Sequence, residues 1–236
     1  MPHFLIKSTD ISENKLRLSN DAILKHLFVM RKKQGDVVKF IDENRLVSRV
    51  KIEHITKSEL IGEVIDSCFS DRFLSKKVKL IQCVLKDAQM DAISNAVQIG
   101  VSVIQPVISD FTSVKKNALN VEKMNKVAYE AFKQCERADL AVILPITSLD
   151  KAIEQSKNII VLGERSCNSK ISEFVALHND DEEITVVIGP EGGFSDREFE
   201  LFKKLGLPIV SIGNTILKAE NAVISGVGII SYEFQR

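Results

Sequence analysis

The sequence has few cysteines and no arrangement that would put them to covalent or metal use. Cys68, Cys83, Cys135 and Cys167 form no C-x-x-C pair, and no histidine stands at metal-ligand spacing from them. A disulfide framework and a zinc site are therefore poor expectations, and reduced thiols in a cytoplasm are the better one. Net charge is absent too, since 32 basic and 32 acidic side chains cancel. A nucleic-acid partner must then be held by a local patch, not by the field of the whole chain. No apolar run approaches the roughly 20 residues that a membrane-spanning helix needs. The opening "MPHFLIKSTD" lacks a sustained apolar stretch of signal-peptide type. A soluble cytoplasmic protein without a metal is expected. No internal repeat or low-complexity tract stands out.

What is present is enough apolar material for a real core: 236 residues, 44% of them hydrophobic. That length suits two unequal domains. Up to about Ile65, short β-branched segments such as "DVVKFID" and "RLVSRVKIEHI" are separated by turn-like "QGD" and "DEN", the pattern of a small β-barrel or sheet. One helix is expected inside it, capped by Ser19, with Ile23, Leu24, Leu27 and Phe28 on one face. From Val78 onward short apolar runs alternate with helical patterns, which marks an α/β domain with a mainly parallel sheet. The longest helical stripe runs through Val121, Met124, Val127, Ala128, Ala131, Phe132 and Cys135, leaving Glu130, Gln134 and Arg137 off it.

The stretch "ITVVIGPEGGFSDREFE" reads as a strand, a glycine loop and a helix opened by a capping box of Ser195 and Glu198, with Gly206 and Pro208 ending that helix. A glycine loop before a helix suits phosphate. Here there is neither G-x-x-x-x-G-K-[ST] nor G-x-G-x-x-G, and the carboxylate of Glu191 would repel an anion. Close backbone approach to a flat or bulky ligand, neutral or cationic, fits better. Two further strands end in glycine, "IIVLG" at Gly163 before Glu164 and "IVSIG" at Gly213. Three carboxyl ends meeting one ligand would explain this, and so would ordinary turns.

The run "IGPEGGFSDREFE", followed by "SIGNTILKAENAV", with "EAFKQCER" upstream and "HLFVMRKKQGD" near the start, resembles the RsmE family of bacterial 16S rRNA uridine-N3 methyltransferases in the SPOUT superfamily. The resemblance covers nearly the whole chain. It implies a PUA-like RNA-binding β-barrel over residues 1–70 and, over 71–236, an α/β SPOUT-type domain with a parallel sheet and a deep trefoil knot. It also implies a homodimer that binds S-adenosylmethionine and acts on 16S rRNA or the 30S subunit. The cofactor role falls on Leu162 and Gly163 of the first loop and on Ile188, Gly189, Pro190, Glu191, Gly192 and Gly193 of the second. In the third loop it falls on Ile212, Gly213, Ile216 and Leu217. The sulfonium cation of that cofactor would account for Glu191.

The family motif usually written "ILRTETA" reads "ILKAENA" here, so Lys218 stands as the candidate cation beside the developing uracil anion. Lysine keeps the charge of arginine but not its fork. Glu220 matches and is expected to orient that cation or, preferably, to cap the last helix. Gln89, Asn95, Gln98 and Phe111 replace residues that are commonly charged in the family, whereas Lys86, Glu130, Gln134 and Arg137 match. Gly226 and Gly228 in the final apolar helix suit close packing on a partner subunit or internally. Between Lys25 and Lys57 nine Lys or Arg face four Asp or Glu, a local excess suited to RNA. Arg17, Lys25, His26, Arg31, Lys32, Lys33, Lys86, Gln134 and Arg137 are the expected RNA contacts, chiefly to phosphate. The alternative is a non-catalytic rRNA-binding or ribosome-assembly factor on a degenerate methyltransferase fold.

Overall fold

The computed structural model describes residues 3–114, 119–165 and 167–234. The chain forms two compact units, Met1–Phe73 with Lys133–Asp139, and Leu74–Phe132 with Leu140–Arg236.

The first unit is built on a mixed sheet of six strands: β1 (His3–Leu5), β2 (Ile11–Ser12), β3 (Lys15–Leu18), β4 (Val37–Ile41), β5 (Leu46–Ile55) and β6 (Leu60–Phe69), in the order β1-β4-β5-β6-β3-β2. Only β1 and β4 pair in parallel. Among the described residues β1 and β2 remain unjoined edges. The sheet is therefore open where a closed barrel was expected, because edge strands of three and two residues offer too few ladder bonds to close it. Helix α1 (Asp21–Val29) buries Ile23, Leu24 and Leu27 against Phe4, Phe40 and Ile52. Phe28 departs from expectation and lies exposed. Asn20, not Ser19, caps this helix: its Oδ1 accepts from the N–H groups of Ala22 (3.0 Å) and Ile23 (3.2 Å), satisfying two of the orphan donors of the first turn.

The second unit carries a parallel sheet. Its strands are β7 (Lys77–Cys83), β8 (Val103–Ile108), β9 (Val142–Ile143), β10 (Thr147–Ser148), β11 (Ile159–Leu162), β12 (Glu183–Ile188) and β13 (Ile209–Val210). The order is β10-β8-β7-β12-β11-β13, with β9 also on β8. The central strands are almost wholly buried, as strands covered on both faces must be. Helices α2 (Gln89–Gln98), α3 (Val121–Cys135), α4 (Leu149–Glu154), α5 (Ile171–Leu177) and α6 (Asp196–Lys204) alternate with them. One core cluster gathers Ile81, Val161, Val187, Phe194, Phe199 and Phe202, the three phenylalanine rings meeting edge to face. In α3, Met124, Ala128, Ala131 and Phe132 are buried as the stripe requires.

Helix α6 begins and ends as its sequence dictates. Ser195 Oγ accepts from the Glu198 N–H, and Glu198 answers from its side chain to the Ser195 N–H. At the other end Gly206, at φ +66, donates to Lys203 O, while Leu207 donates to Phe202 O, the paired bonds of a glycine-closed helix. The last helical stretch begins with α7 (Ala219–Ala222), continues as a π-helical turn over Val223–Val227 and ends in α8 (Gly228–Glu233). Gly226 packs internally: a Cβ there would lie 2.1 Å from Leu162 Cδ1. Gly228 has open space around it. No helix among the described residues is long and apolar enough to cross a membrane.

Candidate functional site

Three strand ends stand level at one edge of the parallel sheet. β11 pairs with β12 on one side, Leu162 opposite Ile188, and with β13 on the other, Leu162 opposite Val210. Gly163, Gly189 and Ser211 are thus the first residues beyond three adjacent strands. β13 stops three residues short of the expected Gly213, which instead closes a bend with Ser211: the serine Oγ donates to Gly213 O at 2.6 Å.

Above these ends lies a cavity of about 590 Å³. Its walls contain Leu162, Ile188 and the whole run Gly189, Pro190, Glu191, Gly192 and Gly193, and then Ile216, Leu217, Lys218 and Glu220. A smaller neighbouring cavity of about 60 Å³ is lined by Gly163 and Ile212, and it shares Leu162, Ile216 and Leu217. Of the residues expected to hold a cofactor, Gly213 alone lines neither. Sequence reasoning left out Asp87, Ala88, Glu164, Phe194, Ala219 and Ala222, which complete the larger wall. Glu164 directly follows a strand-ending glycine, the same signal that singled out its neighbours.

The glycine loop is held by three separate devices. Gly193 donates to Pro190 O at 3.0 Å and sits at φ +72, a left-handed conformation that costs a side-chain-bearing residue roughly 1 kcal/mol or more. A Cβ on Gly189 would come within 3.2 Å of the Phe194 ring, so the loop packs closely on that ring and a side chain there would require the ring to give. Glu191 accepts the Lys86 main-chain N–H at 2.7 Å, tying the loop after β12 to the loop after β7, its neighbour in the sheet.

Charge in the larger cavity is one-sided. Four carboxylates, Asp87, Glu164, Glu191 and Glu220, face a single ammonium, Lys218. Lys218 occupies the N-cap position of α7 through its carbonyl, which accepts from Ala222 N at 2.9 Å, and its side chain is exposed. Glu220 sits in the first turn of that helix without a side-chain capping bond, so the expected cap is replaced by the weaker attraction of a carboxylate for a helix N-terminus. Phe111 is half exposed, with its Cβ 3.1 Å from the place of a Gly192 Cβ. The aromatic ring that replaces an expected charge thus lies on the glycine loop.

A polar hub supports this edge from behind. Arg197 grips Asp110 with two bonds of 2.8 and 2.9 Å and reaches Asp150 at 3.1 Å. The fully buried Glu198 accepts from the Asp110 and Ser195 N–H groups. Hydrogen bonds from Arg197 and Ser195 hold the Asp110 carboxyl below the usual carboxylate range. Burial pushes the Cys83 thiol up to about 12, which keeps it protonated and inert. Gln89 is buried, its Oε1 accepting from Leu85 N. Gln98 bonds to Ser94, four residues earlier.

In the first unit, Arg17, Lys25, Arg31 and Lys33 are exposed and Lys32 is half-buried. Helix α1 ends with Arg31 in the left-handed region, φ +56, its N–H on Phe28 O and that of Lys32 on Leu27 O. His26 is packed edge-on to Phe4, with Nδ1 3.3 Å from Lys133 Nζ. Gln134 is exposed, but Arg137 is 4% exposed and bonded twice to Asp139. Lys86, in the second unit, is exposed. No group of three metal-ligating side chains occurs among the described residues.

Residues 73–231 match the family model of the RNA methyltransferase domain, which is more than half the chain. The chain belongs to this family. Within it, curated relatives agree on one kind of protein. Ribosomal RNA small subunit methyltransferase E of Rickettsia conorii is 27% identical over 230 residues, covering 94% of this chain and 91% of that protein. The protein of the same name from Mesomycoplasma hyopneumoniae is 30% identical over 171 residues, covering 69% and 73%. The crystal structure of ribosomal RNA small subunit methyltransferase E from Neisseria gonorrhoeae bound to S-adenosylmethionine superposes with a TM-score of 0.86 at 21% identity, covering 98% of this chain and 97% of that one. The fold is that of the methyltransferase E proteins, and the cavity lies wholly inside the stretch that the RNA methyltransferase domain model matches.

Proposed function

We propose that this chain is an S-adenosylmethionine-dependent methyltransferase that modifies N3 of a uridine in 16S rRNA, within the assembled 30S subunit in the cytoplasm. The observation that carries the reading is the cavity at the level ends of β11 and β12. It has the volume of a small-molecule site, and its four carboxylates against one ammonium suit a ligand with net positive charge and oppose a polyphosphate. S-adenosylmethionine, with an ammonium and a sulfonium against one carboxylate, fits that balance.

The strand-end loops would hold it. Leu162, Gly163, Ile188 and Gly189 line the two cavities where a purine would lie, and Ile216 and Leu217, exposed at 80% and 37%, offer apolar cover. The cofactor supplies an activated methyl group. The chain supplies position, which converts a bimolecular step into an intramolecular one. N3 lies on the Watson–Crick edge of uracil, so the base must leave its pairing to react. As that nitrogen loses its proton, the exposed Lys218 ammonium opposes the negative charge that spreads to the uracil oxygens, while Glu220 stays in the first turn of α7.

The first unit is read as the PUA-like RNA-binding domain and the second as the SPOUT domain, divided near residue 70. Arg17, Lys25, Arg31, Lys32 and Lys33 supply phosphate contacts. The segment after β13, the edge strand beyond β11, returns to line the same cavity as the β11 and β12 loops, which supports a knotted path. Ile224, Ile229 and Tyr232 are exposed along the last helical stretch, which supports a homodimer through that face.

The test is transfer of labelled methyl from S-adenosylmethionine to small subunits lacking rRNA uridine methylation, with nucleoside analysis and free 16S rRNA in parallel. N3-methyluridine on the subunits is the expected product. Binding of cofactor and subunit without incorporation would replace this reading with that of a non-catalytic assembly factor.

A further inference from the structure

Among the four carboxylates of the larger cavity, the most conspicuous in the sequence is already engaged. Glu191 has one oxygen on the Lys86 N–H at 2.7 Å, a bond that an uncharged amide oxygen would make as well. Glu164 differs in three respects. It stands two residues beyond the end of the buried strand β11, one residue past Gly163. It is the carboxylate that lines both the larger and the smaller cavity. Its Oε1 lies 2.9 Å from the place of a Gly193 Cβ, so the side chain, although 32% exposed, is turned toward the glycine loop. The nearest cation is the adjoining Arg165, with Nε at 3.7 Å and a side chain 62% exposed, too solvated to neutralise it effectively.

We propose that Glu164, and not Glu191, gives the site its preference for a cationic ligand, by facing the sulfonium of S-adenosylmethionine. Glu191 is then a positioning residue that clamps the loop after β7 to the glycine loop. This rests on the cofactor reading above. It explains why two glutamates border one glycine loop: one works by charge, the other as a hydrogen-bond acceptor. Gly193 is needed at its position because φ +72 strains any residue with a side chain, and a Cβ there would also meet the flexible end of Glu164.

The experiment is calorimetric titration of the full chain with S-adenosylmethionine and with S-adenosylhomocysteine, its neutral thioether product. Wild type is compared with Glu164→Gln and Glu191→Gln. Glu164→Gln is expected to weaken S-adenosylmethionine about tenfold, equivalent to about 1.4 kcal/mol, while S-adenosylhomocysteine changes by less than about twofold. The second ligand doubles as the control for folding. Glu191→Gln is expected to keep the wild-type ratio of the two affinities. An unchanged ratio in Glu164→Gln, whether both affinities fall together or neither does, would overturn the proposal, as would a collapsed ratio in Glu191→Gln. Wild-type protein that binds neither ligand would sink the cofactor reading itself, and this inference with it.

Discussion

The two units differ in what their surfaces are made of. In the second, the cavity is shaped by main chain: three level strand ends, a turn completed at Gly193, and a helix stretch that returns to close the wall. In the first, the basic face consists of long side chains standing on a finished sheet and helix. A surface made by backbone geometry depends on a few positions that tolerate no change. A surface made by solvated charges spreads its effect over many residues, each of small weight.

The largest effect that would break this comparison belongs to Gly193→Val. A β-branched side chain at φ +72 is strained, and its Cβ would press on Glu164 Oε1 at 2.9 Å. The turn from Pro190 must open, and the glycine loop with it. Loss of S-adenosylmethionine affinity by about a hundredfold or more is expected, equivalent to about 2.7 kcal/mol, with the first unit still folded by circular dichroism. Near wild-type affinity would mean that the loop's conformation does not make the site.

Next in size is Glu198→Ala, which tests whether the hub behind the cavity is part of the same construction. The change leaves the Ser195 and Asp110 N–H groups without their acceptor, at a cost of about 1–3 kcal/mol for the buried Ser195 donor and less for the part-buried Asp110 donor, which water can reach. A fall in melting temperature of roughly 5–15 °C follows for a chain of this size. Glu198→Gln, which keeps one acceptor oxygen, should recover part of that loss. A shift below about 2 °C for the alanine variant would show the hub to be dispensable.

These two regions also differed in how far the sequence revealed them. The parallel α/β sheet was legible because alternation of apolar runs with helical periods is a local signal, and the capping box of Ser195 and Glu198 was legible because its two bonds span three residues. The Asp110, Asp150 and Arg197 cluster was not, since its members lie far apart in sequence and meet only in the fold. Phe28 misled because a helical stripe shows which residues share a face but not how wide the covering sheet is. Glu191 read as a free carboxylate because its acceptor role depends on Lys86, a residue 105 positions away. Gly213 read as a strand end because glycine marks turns of every kind, and only the register of β13 on β11 shows where that strand stops.

The smallest effect, and the sharpest on the basic side, belongs to Arg31→Gly. Helix α1 ends in the pattern that favours glycine at the position Arg31 fills at φ +56. An arginine there costs the fold about 0.5–1 kcal/mol relative to glycine. If that position serves only to end the helix, Arg31→Gly should stabilise the protein by this amount in urea and leave RNA binding untouched. If the guanidinium instead meets phosphate, stabilisation should be accompanied by a loss of affinity of a few fold and a drop of about one in the slope of log affinity against log salt. We expect the second outcome, because Arg31 is exposed and stands between exposed Lys25 and Lys33 in the sequence, where its charge adds to the local basic excess that attracts phosphate.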